Sequence, residues 1–446
     1  MFKNKEKNMN YMEKDTRRKL GVHLTSINIF QKYILPKIKN QLDDYIWIDL
    51  YCGEGNLILP ILNEIKKEDR INFFRNNIYL FDIQKEMVEK SIVNATKYGI
   101  PRKIAEQNIK QKDTLKQFPE FLNTLKKPIY HITNPPYLYL GYIKKHPEMK
   151  THIQYFREDN KGYQDLYQIA LMNDLRYGLD KMIYIIPSNF LFGASISNKI
   201  RLDFLSRYKI SEAIIFEKKI FDYTGTNVII CLFERNKLLN KKIEFSALKI
   251  NSHTVKRDYI LTKENKFRGG NYFEKYIQIY KAKKPLNVKY YLKFQDIEKN
   301  KGENKVILLD SKDYVGKEYS KKEFFVNDAL FNQIKLNPLF IRTVDTGSEK
   351  GRAGLYNIKD TFGVDGVFVK GATYRTNPIQ LFIKPTLKKG ESTKLKELFN
   401  QRLEKLRDRT DSEFMTTYKY SNHNSKYIRK YLGLNQAKKI IQTIEL

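Results

Sequence analysis

The stretch with the clearest chemical potential is Asn134-Pro135-Pro136-Tyr137, which directly follows the apolar and β-branched run of residues 128–133. Proline fixes the backbone angle φ, lacks an N–H donor and pushes the residue before it toward extended geometry. The Asn134 amide and the Tyr137 ring are therefore expected on a stiff loop at the end of a strand. Such a loop could hold a small polar group at a fixed distance from a ligand, or it could be an ordinary turn.

A second stretch lies nearer the N-terminus, where the apolar run of residues 46–48 leads into Asp49. A turn that contains Gly53 and Gly55 follows, and then an apolar segment. Glycine at a strand-to-helix turn lets the backbone approach a ligand closely and aims helix N–H groups at it. The same kind of turn is also a common structural device, so this stretch alone leaves both interpretations open.

Two further acidic residues follow at positions that suit a nucleoside site. Asp82 lies at the end of the apolar run of residues 77–83. A carboxylate at the end of a second strand can bind the two hydroxyl groups of a ribose, and Asp82 could equally cap the helix that begins near Gln84. Asp113 could contact an adenine amino group in the same kind of fold, or it too could cap a helix.

Alternating strands and helices are expected to position these residues. Short apolar, β-branched or aromatic runs are typical of buried strands, and segments of helix length lie between the first four of them. This alternation implies right-handed crossovers and a mostly parallel sheet covered on both faces, so the predicted fold class is α/β. The last two runs are joined by too short a segment for a helical crossover and are expected to form an antiparallel pair at the sheet edge. The predicted strands are residues 45–51, 77–83, 128–133, 181–187, 210–217 and 227–234, and the predicted helices are 57–68, 84–99 and 166–178.

The second half of the chain has a different organisation. After about residue 240 the alternation fades, the segments shorten, and Gly, Asn and Lys become more frequent, although one amphipathic helix is predicted at 392–409. At 446 residues the chain is too long for one typical core. We therefore predict two domains, residues 1–240 and residues 241–446, the second with mixed α+β structure.

The charge of the chain is strongly positive. The formal net charge is +32 at pH 7, from 82 Lys and Arg against 50 Asp and Glu, and +20 of it lies in residues 241–446. Such an excess attracts polyanions, of which nucleic acid is the commonest. A composition rich in Lys, Asn, Ile and Tyr also arises from an AT-rich coding sequence without any functional cause.

Other features of the composition bear on the compartment. No apolar run approaches the roughly 20 residues needed to span a membrane, and the N-terminus lacks the apolar stretch of a secretory signal. The two cysteines, Cys52 and Cys231, are far apart and have no metal-type spacing. We expect a reduced, cytoplasmic protein without disulfides, without a metal site and without a membrane partner.

The order of the motifs resembles that of class I S-adenosylmethionine-dependent methyltransferases that modify amino groups. DLYCGEGNL at 49–57, FD at 81–82, Asp113 and NPPY at 134–137 follow one another as in that family. NPPY is the form of the family signature found in enzymes that methylate N6 of adenine. KLGVHLTS at 19–26 is similar to the segment that precedes the cofactor motif in the gamma arrangement of DNA amino-methyltransferases.

This resemblance, which extends over about residues 19–235, implies a Rossmann-like domain with a mostly parallel seven-stranded sheet and an antiparallel edge hairpin. It implies that Asn134 and Pro135 bind the target amino group, that Tyr137 stacks on the target base, and that Phe221 stacks on the other face of that base. The rigid pair that Pro136 completes would hold this group in place. The implied cofactor is S-adenosylmethionine, and the residues implied to bind it are Thr25, Asp49, Cys52, Gly53, Gly55, Asp82, Ile83, Asp113 and Asn134.

The sequence departs from the family pattern in a few places. Ser26 replaces a common proline, Leu50-Tyr51 replaces a pair that contains proline, and Glu54 replaces a small residue. Tyr223 lies two residues from Phe221 and could be the stacking ring instead. These differences affect single assignments and leave the class unchanged.

Our hypothesis from the sequence is a site-specific methyltransferase that acts on N6 of a flipped-out adenine in double-stranded DNA, as part of a restriction–modification or phage-type system. In the C-terminal half, Lys350, Arg352, Arg375 and Lys384 are candidate DNA contacts, although each suits a solvated surface equally well. We expect a monomer, and we expect any restriction endonuclease to be a separate polypeptide, because 18 residues before the resemblance leave no room for a nuclease domain. The alternatives are an RNA adenine-N6 methyltransferase, a protein glutamine methyltransferase and a catalytically inactive DNA-binding protein with the same fold.

Overall fold

The sheet that carries the predicted motifs lies in the first of the two units into which the chain divides, Met1–Gly269 and Gly270–Leu446. The computed structural model describes residues 25–446 apart from 194, 218–219, 221–226, 251–253, 347–350, 374–375, 389 and 421–427. The strands of this sheet are β1 (Ile46–Asp49), β2 (Ile78–Asp82), β3 (Ile109–Gln111), β4 (Ile129–Thr133), β5 (Lys181–Pro187), β6 (Tyr208–Phe216), β7 (Val228–Arg235), β8 (Lys242–Ile250) and β9 (Thr254–Thr262).

The strand order confirms the predicted α/β class with a mostly parallel sheet. The order is β3-β2-β1-β4-β5-β7-β6-β8-β9, and β1 pairs in parallel with both β2 and β4. Strands β3 and β5 continue the parallel arrangement on either side, whereas β7 runs antiparallel to β5 and β6. Because parallel strands end at the same edge, the motifs that follow β1, β2 and β4 meet at one edge of the sheet.

Two strands more than the expected seven extend this sheet. β8 pairs in parallel with β6, and β9 pairs antiparallel with β8. The antiparallel pair of β6 and β7 therefore lies inside the sheet, and its predicted position at the edge was wrong. Since β8 alternates between buried and exposed residues over most of its length, it is an additional half-buried strand in a region where strand–helix alternation has ceased.

Apolar packing covers both faces of the sheet. Trp47 and Ile48 are neighbours on β1 and are fully buried, yet they belong to different apolar clusters. The same holds for Ile183 and Tyr184 on β5. Successive side chains of a strand point to opposite faces, so each cluster is the core on one face of the sheet.

Two of the three helices predicted in the first unit are present in the structure. The helices predicted at 84–99 and 166–178 are present, and Gly178 ends the second of them with φ = 75°. The helix predicted at 57–68 is instead a short 3₁₀ helix, Leu59–Glu64, in which Pro60 supplies no N–H donor and after which Ile65 is extended. The α-helices of this unit are α1 (Ile27–Ile29), α2 (Leu35–Ile38), α3 (Arg70–Asn77), α4 (Lys85–Lys97), α5 (Arg102–Asn108), α6 (Leu140–Ile143), α7 (Leu166–Tyr177), α8 (Asn189–Phe192) and α9 (Asn198–Phe204).

The second unit has the mixed α+β structure that was expected. Its strands are β10 (Asn287–Tyr290), β11 (Leu292–Lys293), β12 (Lys301–Val315), β13 (Glu318–Val326), β14 (Leu339–Arg342), β15 (Val344–Asp345), β16 (Gly354–Asn357), β17 (Gly366–Val369), β18 (Ile379–Lys384), β19 (Thr416–Tyr420) and β20 (Ile428–Tyr431). They form sheets with the orders β10-β18-β14-β16, β11-β17-β12-β13 and β15-β20-β19. Its helices are α10 (Tyr272–Ile279), α11 (Phe294–Lys299), α12 (Asp328–Lys335), α13 (Ile358–Phe362), α14 (Glu391–Thr410) and α15 (Leu434–Ile441).

The boundary between the units differs from the predicted one. We expected it between residues 240 and 241, and it lies between Gly269 and Gly270. The physical reason is the pairing of β8 and β9 with the first sheet, which a change in composition along the sequence does not reveal.

Candidate active site

A pocket lies at the edge where β1, β2 and β4 end, and it encloses about 750 Å³ of space that opens to solvent. Most of the predicted cofactor residues meet there. Its lining consists of Thr25, Asp49, Tyr51, Cys52, Gly53, Glu54, Asn56, Leu57, Asp82, Ile83, Gln84, Lys112, Asp113, Thr114, Leu115, Asn134 and Pro136.

The glycine turn, residues 50–57, forms one wall of the pocket. Gly53 and Gly55 have φ values of 52° and 79°, a left-handed conformation that favours glycine. A Cβ atom on Gly55 would lie 2.6 Å from Leu59 Cδ1 and 2.7 Å from Ser91 Oγ, so no larger residue fits without displacing its neighbours. The backbone N–H of Cys52 donates to the Phe81 carbonyl at 2.8 Å, which holds the turn against β2.

Asp82 connects the glycine turn to the start of α4. One carboxylate oxygen accepts a hydrogen bond from the Gly53 N–H at 2.9 Å, and the other accepts from the Gln84 N–H at 2.8 Å. Burial raises the pKa of Asp82 above its ordinary value, and these backbone bonds oppose the rise. Gln84 is itself the N-cap residue of α4 and no side-chain hydrogen bond caps this helix, so Asp82 holds the chain just before the helix without capping it. Each oxygen retains a second lone pair that a hydroxyl group could use.

Asp49 lies at the end of β1 beneath the same pocket. Its Oδ1 accepts hydrogen bonds from the Thr133 hydroxyl at 2.6 Å and from the Tyr51 N–H at 3.0 Å. The side chain is 1% exposed, and burial raises the pKa of its carboxyl to about 7. Asp49 therefore links β1 to β4 at the point where Asn134 begins the Pro-Pro loop.

Asn134 is held by partners on two sides. Its amide nitrogen donates to Thr25 Oγ1 at 3.0 Å, and its Oδ1 accepts a hydrogen bond from the Tyr137 hydroxyl. The same hydroxyl donates to the Ile185 carbonyl at 2.6 Å. The amide, the Thr25 hydroxyl and the Tyr137 hydroxyl thus form a short chain of hydrogen bonds across the start of the loop.

The orientation of this amide has a chemical consequence. A hydroxyl group has one proton, so the Tyr137 hydroxyl cannot fully serve both acceptors. Turned over by 180°, the nearly isosteric amide would donate from Nδ2 to the Tyr137 oxygen and accept at Oδ1 from the Thr25 hydroxyl, while Tyr137 donates to Ile185. Thr25 lines the pocket, so in that orientation the amide oxygen lies on the pocket side.

Of the residues predicted to stack on the target base, Tyr137 is among the described residues. Tyr137 is partly buried, its ring lies edge-on to Tyr167 at a centroid distance of 6.4 Å, and burial raises the pKa of its hydroxyl well above the ordinary value. Phe221 and its alternative Tyr223 lie outside the described residues. Stacking of these rings on a target base stays a prediction.

Asp113, which was predicted near an adenine ring, lines the pocket together with Ile83, another predicted cofactor residue. Asp113 accepts hydrogen bonds from the Tyr155 hydroxyl at 2.7 Å and from the Lys116 N–H at 3.2 Å. The second bond closes a turn, and since no helix begins there, the capping interpretation of Asp113 was wrong. Ile83 is 51% exposed, which is unusual for a large aliphatic side chain in a pocket wall. An apolar surface of this kind could cover the face of a nucleobase.

The candidate DNA contacts in the second unit are only partly described. Lys350 and Arg375 lie outside the described residues, and Lys384 is exposed at the end of β18. Arg352 forms a bidentate ion pair with Glu404 on α14, with N–O distances of 3.1 and 2.6 Å. The Arg352 guanidinium is therefore bonded to a carboxylate of its own unit.

Several residues of the site were missed by the sequence reasoning. Asn56 directly follows Gly55, and its side-chain amide donates to the Thr25 carbonyl at 3.0 Å, which ties the glycine turn to the segment before α1. Its place inside the turn motif was the available signal. Leu115 and Lys112 flank Asp113 in the pocket wall, and no local pattern marks them.

The described residues offer neither a metal site nor a membrane-spanning helix. In the part of the chain that the structure describes, no cluster of three or more His, Cys, Asp or Glu side chains could hold a metal ion. Among the described helices, none has the length and apolar character needed to cross a membrane.

Comparison with known proteins identifies the family. A family model described as N-6 DNA Methylase matches residues 7–323, and no curated protein matches the chain. Similar solved structures include the methyltransferase subunit of a type I restriction-modification system from Streptococcus thermophilus, with 15% identity over 50% of this chain and 47% of that chain at a TM-score of 0.34. The M protein of the type I restriction enzyme EcoKI has 12% identity over 63% of this chain and 58% of its own, at a TM-score of 0.34. The ATP-dependent type ISP restriction-modification enzyme LlaBIII bound to DNA has 14% identity over 57% of this chain and 23% of its own, at a TM-score of 0.39.

The chain spans less than two thirds of the length of each of these three proteins. The family match, in contrast, covers most of this chain and includes both the glycine turn and the Asn134 loop. It confirms the family that the order of the motifs predicted. The chain belongs to the N-6 DNA methylase family.

Proposed function

We propose that the chain transfers a methyl group from S-adenosylmethionine to N6 of adenine in double-stranded DNA. One observation carries the proposal: the Asn134 amide, on a rigid Pro-Pro loop, lines the same pocket as the glycine turn and Asp82. A group that binds an amino group and a turn that suits a nucleoside cofactor therefore share one cavity.

The residues of the pocket fit this cofactor. The left-handed Gly53 lines the pocket and permits close approach of a ligand to the backbone, and Asp82 offers acceptors for the hydroxyl groups of a ribose. The exposed Ile83 side chain offers an apolar surface for an adenine ring, beside Asp113. The residues that would hold the cofactor are Thr25, Asp49, Cys52, Gly53, Gly55, Asp82, Ile83, Asp113 and Asn134.

Charge supports the same assignment. Burial raises the pKa of both Asp49 and Asp82, so each carboxylate would gain from a nearby positive charge. When bound, S-adenosylmethionine supplies an electrophilic methyl group on a positively charged sulfur. A cationic cofactor would offset the cost of keeping these carboxylates ionised away from water.

The proposed role of the Asn134 loop is to orient the target amino group. The lone pair of the adenine N6 nitrogen is delocalised into the ring, which makes this nitrogen a poor nucleophile. If the Asn134 amide oxygen and the Pro135 carbonyl each accept one N6 hydrogen, the nitrogen moves toward sp³ geometry and its lone pair becomes localised. This work is orientation and electrostatics, and a stiff loop suits it because a displacement of about 1 Å can cost on the order of a hundredfold in rate.

Access to this nitrogen in a duplex requires that the base leaves the stack. In the proposal, Tyr137 and Phe221 would stack on the flipped base and offset the few kcal/mol of unstacking. The net charge of +32, with its larger share in residues 241–446, would attract the DNA backbone. We also propose that any restriction endonuclease of the system is a separate polypeptide.

A labelling experiment tests the proposal. The purified chain is incubated with tritiated S-adenosylmethionine and either plasmid DNA or total RNA, and the nucleosides are then separated. We expect label in N6-methyladenine from DNA. Label only in RNA, only in protein, or in N4-methylcytosine would contradict the proposed substrate.

A further inference from the structure

His131 is a fully buried histidine whose two ring nitrogens both have partners. Its Nε2 accepts a hydrogen bond from the backbone N–H of Leu50 at 3.2 Å, and its Nδ1 lies 2.6 Å from Asp174 Oδ2. A backbone N–H can only donate, so Nε2 carries no proton. A neutral imidazole has one N–H, and it must therefore be on Nδ1 and donate to Asp174.

The Leu50 N–H needs this acceptor because of where the strands end. β1 ends at Asp49, and Leu50 is the first residue of the glycine turn, beyond the last ladder pair between β1 and β4. The imidazole takes the place of a ladder acceptor. The Leu50 carbonyl is held as well, since it accepts from the Thr114 hydroxyl at 2.6 Å. Both polar groups of the Leu50 backbone are thus fixed by side chains.

The same histidine stands close to Asn134 along the chain. His131 and Thr133 are two residues apart on β4 and point to the same face of the sheet. Thr133 donates to Asp49 at 2.6 Å, so two side chains of one strand clamp the end of the other. Asn134 is the next residue after Thr133, so these two bonds lie directly before the Pro-Pro loop.

Asp174 anchors the imidazole from α7. Its Oδ2 accepts from both the His131 ring and the Tyr184 hydroxyl, each at 2.6 Å, and all three side chains are fully buried. None of them lines the pocket, so none can touch a substrate there.

We propose that His131, oriented by Asp174, is a positioning residue that fixes the glycine turn relative to Asn134. The inference rests on the proposed function. In that function the glycine turn would hold the cofactor and the Asn134 amide would bind the target amino group, and His131 and Asp174 would set the distance between the two. It concerns residues outside the pocket that act through the Leu50 backbone.

Two substitutions at one position separate the bonds of the imidazole. In His131→Asn the amide nitrogen can take the place of Nδ1 and donate to Asp174, but the side chain is too short to reach Leu50. In His131→Gln the longer side chain can bring its amide oxygen to the place of Nε2 and accept from Leu50. Tyr184→Phe is the matched control, since it removes a buried hydrogen bond to the same Asp174 oxygen and leaves the Leu50 bond in place.

The first readout is hydrogen exchange in the cofactor-free protein, followed by mass spectrometry of peptides that contain Leu50. His131→Asn should accelerate exchange there roughly tenfold, as expected for loss of one hydrogen bond, whereas His131→Gln and Tyr184→Phe should stay close to wild type. This readout does not depend on activity. Equal exchange in His131→Asn and wild type would overturn the inference.

The second readout is the affinity for S-adenosylmethionine, measured by calorimetry on folded protein, together with kcat and KM. For His131→Asn we expect a dissociation constant raised roughly tenfold and a lowered kcat, with an unchanged KM for DNA. Tyr184→Phe should lower only the melting temperature. If His131→Asn and Tyr184→Phe weaken binding of S-adenosylmethionine equally, the role of His131 is merely structural and the inference fails. If wild-type protein binds no S-adenosylmethionine, the proposed function fails, while the exchange result still decides whether His131 holds the turn.

Discussion

Replacing Asp49 with asparagine is expected to stabilise the cofactor-free chain above pH 7 and at the same time to weaken cofactor binding. Asparagine keeps an oxygen that can accept from the Thr133 hydroxyl and the Tyr51 N–H, and it removes the charge. The pKa of Asp49 is about 7 in the folded chain, against an ordinary value of 3.8, and burial is its main cause. The folded state therefore holds a proton that the unfolded chain has released between these two values.

The sign and size of the effect follow from this proton. The stability that the protonated carboxyl contributes is fully present below pH 3.8 and is lost as the pH rises to about 7, after which the loss is constant. A difference of about 3 in pKa corresponds to an upper limit of about 4 kcal/mol. Relaxation around a buried charge reduces such values, and we expect a gain on the order of 2 kcal/mol for Asp49→Asn at pH 8.

Asp165 provides a matched control for this experiment. Desolvation raises its pKa to about 7 as well, but it lies outside the pocket lining, and its Oδ1 accepts from the Leu138 N–H at 2.9 Å. Urea unfolding at pH 5, 6, 7 and 8 should show a smaller loss of stability with rising pH in both asparagine variants than in wild type. Only Asp49→Asn should lose affinity for S-adenosylmethionine. An unchanged pH dependence in Asp49→Asn, or an equal loss of affinity in both variants, would refute this reasoning.

Three further predictions concern single residues. Gly55→Ala should destabilise the chain more than Gly99→Ala. Both glycines have left-handed φ angles, but an added Cβ has atoms within 4 Å at Gly55 and none at Gly99. Thermal melting compares the two variants, and equal changes in melting temperature would contradict the account. Tyr137→Phe should lower kcat about twofold, because the Asn134 amide loses the hydroxyl partner that favours one of its two orientations. Tyr137→Ala should in addition weaken binding of the target base by about 1–3 kcal/mol through lost stacking. Steady-state kinetics measures both variants, and equal losses in the two would contradict a stacking role. Arg352→Ala should reduce stability by about 1 kcal/mol or less, without loss of DNA affinity. Glu404→Ala should reduce stability more, because Glu404 also pairs with the buried Arg407. Chemical denaturation and DNA titration measure both effects, and a loss of DNA affinity in Arg352→Ala alone would restore its predicted role as a DNA contact.

The sequence predicted the residues whose position depends on local patterns. Asp49, Asp82 and Asn134 each follow a short apolar run, and parallel pairing of those runs brings all three to one edge of the sheet. The α7 helix and its Gly178 cap were also predictable, because a helical stripe followed by glycine has a local signature.

The parts that could not be predicted depend on contacts between distant segments. Nothing near His131 indicates that its ring bonds Leu50 and Asp174, which are separated from it by 81 and 43 positions. The pairing of β8 with β6 is likewise non-local, and for this reason the domain boundary was placed too early. The bond between the Tyr137 hydroxyl and Ile185 also joins distant segments, and it gives this tyrosine a partner that the motif alone does not suggest.

In the proposed function, the Asn134 loop positions adenine N6 for methyl transfer. The most direct measurement is mass spectrometry of the nucleosides from one DNA preparation after incubation with S-adenosylmethionine and either wild-type chain or Asn134→Ala. We predict N6-methyladenine with the wild type, none above background with Asn134→Ala, and cofactor affinity largely retained in that variant. Substantial N6-methyladenine formed by Asn134→Ala would contradict the account.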